Sequence, residues 1–103
     1  MLRRGIEIAA KAGDPVRAVH DGTVAYAAPF TGFGNLIIVD HGNRAFSLYG
    51  YLDRLDVSRG DRVMPGNVVG SVGLETTGQP ALYFELRVDD QPVDPLQWLK
   101  PAY

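Results

Sequence analysis

At 103 residues the chain is long enough to bury one core and too short for two domains. Hydrophobic residues make up 46% and charged residues 21%, the balance of an ordinary folded domain rather than a disordered or membrane-spanning chain. A formal net charge of -2, with the basic residues scattered, gives no draw for nucleic acid, and the absence of cysteine excludes disulfides, thiolate metal sites and cysteine nucleophiles.

No apolar run is long enough to insert into and span a bilayer. Met1-Leu2-Arg3-Arg4 passes into Gly5 without the apolar core of a signal peptide. Residues 1–103 are therefore expected to be a single domain, the C-terminal fragment of a longer protein if that protein is exported. Twelve glycines and seven prolines punctuate short runs rich in Val, Ile, Leu and Tyr, which predicts an all-β fold with very little helix.

Strands are predicted over Ile6 to Ala9, Val16 to Val19 and Gly22 to Ala27, with Asp21-Gly22 as a hairpin turn. Asn35 to Val39 follows; its run Leu36-Ile37-Ile38-Val39 is apolar on both faces and predicts a central, covered strand. His41-Gly42-Asn43 supplies a second turn before Phe46 to Leu52. Residues 57–70 place two glycines six apart around a charged turn and lead into Val68 to Val72. A cofactor carrier would need a lysine at a hairpin tip, and Lys11 and Lys100 are not so placed. In Leu82 to Val88, alternation puts Leu82, Phe84, Leu86 and Val88 on a core face, and Ala81, Tyr83, Glu85 and Arg87 on a face that lines something. Asp94-Pro95 is expected to open a short helical turn that packs Trp98 and Leu99 onto the sheet.

The blocks Arg3-Arg4-Gly5-Ile6-Glu7-Ile8, Asp21-Gly22-Thr23-Val24, Gly32-Phe33-Gly34-Asn35, Asp40-His41-Gly42, Tyr49-Gly50-Tyr51-Leu52 and Leu82-Tyr83-Phe84-Glu85-Leu86-Arg87 resemble, in order, those of LytM-type peptidases of family M23. The resemblance implies a LytM-like β-sandwich of antiparallel sheets, the duplicated hybrid motif. Active members hold zinc with a His-x-x-x-Asp block and the second histidine of a His-x-His block, and cut peptidoglycan peptides. Here Arg3 and Glu7 stand at the first block and Ala81 and Tyr83 at the second, while Tyr51 replaces a catalytic histidine. Zinc takes imidazole, thiolate or carboxylate donors, so of these only Glu7 qualifies. The expectation is a degenerate metallopeptidase with no catalytic residues, no metal and no other cofactor. His20 and His41, each beside a turn, read as backbone-bonded imidazoles rather than ligands.

The Tyr49, Tyr51 and Tyr83 run, with the Pro92-Val93-Asp94-Pro95 and Trp98-Leu99 tail, is most similar to EnvC-type murein hydrolase activators. That likeness implies a domain that binds and switches on a zinc-dependent cell-wall amidase at the division site, outside the cytoplasm. It also implies an upstream coiled coil and a division complex, neither encoded here. The expected partner-binding groove comprises Arg3, Arg4, Glu7, Phe33, Tyr49, Tyr51, Tyr83, Glu85 and Arg87, with Phe33 exposed at the rim and ion pairs of Arg3 or Arg87 with Glu7 or Glu85. Tyrosine and arginine are enriched in binding hot spots, which favours contact for the set. Each tyrosine alone reads equally well as a half-buried sheet residue with its hydroxyl at the surface. Peptidoglycan itself, held without being cut, is the second candidate partner.

Overall fold

A computed structural model describes residues 4–89 and 91–94. They form nine strands and, among the described residues, no helix: β1 Ile6–Ala9, β2 Pro15–Arg17, β3 Gly22–Phe30, β4 Gly34–Gly42, β5 Ala45–Leu55, β6 Arg62–Val63, β7 Val68–Leu74, β8 Pro80–Val88 and β9 Gln91–Val93. All pairings are antiparallel, in the order β1-β8-β7-β5-β4-β3-β6, with β2 on β7 and β9 on β8. The expected sandwich is one curled sheet, because β5 changes partner along its length. Its first half pairs with β8 from Ala45 to Gly50, and its second with β7 from Leu52.

The curl encloses a main core of Val24, Ile37, Val39, Tyr49, Leu52, Val69, Val72, Phe84 and Leu86, among others. Removing each such aliphatic side chain from water contributes roughly 1.5–3 kcal/mol. β4 is covered as its sequence predicts: Ile37 and Val39 enter this core, and Leu36 enters a second cluster with Phe33, Leu48, Tyr51 and Tyr83 on the opposite face.

The second predicted turn holds. Gly42 pairs with Ala45 across Asn43 and Arg44, both with positive φ, which suits the twist of a two-residue hairpin. The first does not. Residues 18–21 join β2 to β3, but β2 pairs with β7 and β3 with β4 and β6, so Asp21-Gly22 turns no hairpin. The helical turn after Asp94 and the packing of Trp98 and Leu99 lie outside the described residues.

A closed groove at the candidate functional site

β1 lies against β8 with Glu7 opposite Tyr83 and Ala9 opposite Ala81, so Glu7 and Tyr83, two of the positions that resemble zinc ligands, share one face. What stands there is a hydrogen-bonded array. The Tyr83 hydroxyl donates to Glu85 Oε1 at 2.5 Å and accepts the Gly5 N–H at 2.9 Å. Glu85 Oε1 also accepts the Arg4 N–H at 3.4 Å, and Arg87 Nε donates to Oε2. Glu85 is 0% exposed and the Arg87 side chain 24%, so the ion pair closes over a carboxylate sealed from water. Such a charge is tolerable only when paired and hydrogen-bonded. Burial first, and then the Glu85 carboxylate, push the Tyr83 phenol up to about 12. Gly5 is required by contact: a Cβ there would lie 2.2 Å from the Phe84 carbonyl oxygen and 2.8 Å from Tyr83 Cζ.

The other wall comes from β5 and the β3–β4 hairpin. Asn35 pairs with Leu52 and Ile37 with Tyr49, so Leu36 alone opposes both Gly50 and Tyr51. Tyr51 has φ 61, and this bulge turns its ring to the same face as Leu48 and Gly50. A left-handed tyrosine costs about 1–2 kcal/mol. Its N–H donates to the Phe33 carbonyl at 2.7 Å, tying the bulge to the hairpin tip. Phe33 folds inward over Gly50, its ring centroid 5.1 Å from that of Tyr83, and the Tyr51 ring lies 6.1 Å from Tyr83.

Several expectations are corrected here. Phe33 is 3% exposed and fills the groove instead of rimming it, because the gap over Gly50 admits a ring. Tyr49, 1% exposed, faces the main core: the bulge separates it from Tyr51, and its phenol, raised by burial, accepts the Val19 N–H at 3.1 Å. Tyr51 and Tyr83 are buried as well, so the tyrosines are packing, not surface. Arg4 and Glu7 are exposed, and Arg3 lies outside the described residues. The Arg87–Glu85 pair forms as expected.

Sequence reasoning missed the open part of this face. A trough of about 270 Å³ is lined by Ala25, Tyr26, Ile38, Phe46, Leu48 and Arg87. The signal was cross-strand position: Phe46 pairs with Arg87, Leu48 with Glu85 and with Ile38, and Ile38 with Tyr26.

The residues present do not fit zinc. Tyr83 already donates to a buried carboxylate and holds its proton tightly, Ala81 offers no donor, and Glu7 remains as one ligand where three are needed. Among the described residues no three of His, Asp and Glu gather as a metal-holding group. His41 is a hydrogen-bonded imidazole, Nδ1 2.7 Å from the Asp21 carbonyl and Nε2 2.7 Å from Ser47 Oγ.

Residues 2–95 match the sequence profile of peptidase family M23. The chain is 41% identical over 99 residues to the lipoprotein NlpD/LppB homolog of Pseudomonas aeruginosa, covering 95% of this chain and 33% of that protein. It is 40% identical over 97 residues to the murein hydrolase activator EnvC of Escherichia coli, covering 93% of this chain and 23% of that one. The chain thus spans a third or less of these relatives. Among solved structures, the catalytic domain of the antimicrobial peptidase lysostaphin from Staphylococcus simulans superposes with a TM-score of 0.87 at 27% identity, over 94% of this chain and 78% of that one.

Proposed function

The chain belongs to peptidase family M23, and from that membership we propose that it is a member without peptidase chemistry, which binds a cell-wall N-acetylmuramoyl-L-alanine amidase and switches it on. One observation carries the reading: the ligand-position residue Tyr83 is locked into a buried array with Glu85 and Arg87, and an aromatic plug fills the space above it. A relative 40% identical is named a murein hydrolase activator, which supports a role at the cell wall. The partner is a zinc-dependent amidase acting outside the cytoplasm, at the division site.

Activation follows from linkage. An amidase with an open and a closed form shifts to the open one by as much as the domain binds it more tightly. Contact falls on what is exposed: the trough of Tyr26, Ile38, Phe46 and Arg87, together with the exposed Arg4 and Glu7. Phe33, Tyr51, Tyr83 and Glu85 support that surface from within. The trough takes the apolar face of a helix, a recurring mode of peptide recognition.

Calorimetry between the domain and a purified amidase tests this. Phe46→Ser and Ile38→Ser are expected to weaken binding about tenfold or more, the loss of one buried anchor. Met64→Ser, at an exposed residue outside the trough, is the control. Binding unchanged by both trough variants would reject the surface. Retention on sacculi with no heat from any amidase would favour a peptidoglycan-binding module instead.

A further inference from the structure

The open trough and the closed groove are neighbours on one strand. Leu48 lines the trough and also belongs to the cluster of Phe33, Leu36, Tyr51 and Tyr83. Gly50 follows it on the same face of β5, and there the Phe33 ring lies over the strand, 3.5 Å from where a Gly50 Cβ would stand. Phe33 is mounted on a hairpin tip, between Gly32 at φ 87 and Gly34 at φ 62. Its carbonyl takes the Tyr51 N–H at 2.7 Å, while its own N–H donates within the tip, to the Phe30 carbonyl at 2.9 Å. We propose that this tip is a flap: Phe33 swings out about the two glycines, Tyr51 leaves its left-handed conformation, and the trough lengthens along the sheet to Tyr83.

Strain favours opening. A left-handed tyrosine is disfavoured roughly 5–30-fold against a relaxed one, and the bond to the Phe33 carbonyl that opening breaks ties it in that state. Backbone strain of this kind persists only where its surroundings over-determine it, and it gathers at switch regions. Packing favours closing, since Phe33 is 3% exposed and its ring meets that of Tyr83 at 5.1 Å. Opposed effects of this size give a minor open form, about 0.1–10% of the molecules.

The surroundings suit such a movement. Glycine passes between left- and right-handed φ without a Cβ penalty, so both hinges turn freely. The hairpin base stays in place, because Ala28 pairs with Leu36 and Asn35 Nδ2 donates to the Asp53 carbonyl at 3.1 Å. The floor stays too, because the Tyr83 hydroxyl is fixed by Glu85 and the Gly5 N–H. Outside, Phe30 is 38% exposed, stands edge-on to Tyr26 at 5.9 Å and already lies 5.9 Å from the Phe33 ring, so it gives that ring an apolar neighbour after release. The use of the flap rests on the amidase reading above: a partner that needs the longer groove binds more weakly by the fraction of molecules that are open.

Two measurements separate the flap from its use. In the domain alone, amide exchange is followed in low concentrations of urea. The Tyr51 N–H should be about a hundredfold less protected than that of Val72, which the Asp14 carbonyl holds at 2.8 Å, and its rate should not respond to urea, the mark of a local opening. Equal protection with the same urea dependence would mean that the tip opens only with the whole domain, and would overturn the flap. In calorimetry with a purified amidase, Phe33→Ala has no ring to swing out and should bind about tenfold or more tightly than wild type, although it is less stable. Equal or weaker binding would make the ring part of the seat and overturn the gating. Local exchange at Tyr51 with no amidase bound by either protein would support the flap and reject the amidase as its partner.

Discussion

Replacing Tyr83 with Phe removes one oxygen from the closed groove and keeps the ring. The Gly5 N–H loses its acceptor, and Glu85 Oε1 is left with the Arg4 N–H at 3.4 Å. A hydrogen bond to a buried charge is worth about 1.5–3 kcal/mol, so the variant should be about 2–3 kcal/mol less stable. In a domain of this length that lowers Tm by roughly 10 °C. Alkaline titration gives an independent value. The Tyr83 phenol is pushed up to about 12 from 10.0, so the folded state holds its proton more tightly than the unfolded one. Its contribution is therefore full below about pH 10 and is lost as pH rises toward about 12, and two units correspond to roughly 2–3 kcal/mol. Urea midpoints and phenolate absorbance for wild type and Tyr83→Phe measure both. The variant should lose most of the alkaline decline, keeping the part from Tyr49, whose phenol is also raised by burial. A variant as stable as wild type at neutral pH, with the same alkaline decline, would refute the array.

Arg87→Ala strands the Glu85 carboxylate without its cation and should cost about 3–5 kcal/mol by chemical denaturation, with Arg87→Lys costing less. Phe33→Ala empties the plug at a hairpin tip that can partly collapse, so about 2–4 kcal/mol is expected, with faster nitration of Tyr51 and Tyr83 as the structural readout. Gly5→Ala drives a methyl into the Phe84 carbonyl and the Tyr83 ring; about 3 kcal/mol or more should be lost in thermal unfolding, with the first loss of amide protection in β1.

Much of the fold was legible because its signals are local. The all-apolar run of β4, the positive-φ turn at Gly42 to Arg44 and the alternation of β8 each follow from residue type and period. The Glu85–Arg87 pair was legible for the same reason, two residues apart on one strand face. What failed was alternation across Gly50-Tyr51. Nothing in Tyr49-Gly50-Tyr51 announces that the second tyrosine sits at φ 61, and that one dihedral sends the two rings into different cores. Phe33 failed similarly: glycines on both sides suggested a free tip, but they let the hairpin bend its ring over Gly50. β6 and β9, two and three residues long, exist through pairing with β3 and β8 rather than through any pattern of their own.

The most direct measurement is dye release from labelled sacculi by the domain alone, by a candidate amidase alone, and by the two together. Release in the mixture well above the amidase alone, with none from the domain alone, is the predicted result. Release by the domain alone, abolished by a chelator, would contradict it, because the proposed reading gives this groove no metal-dependent hydrolysis of its own.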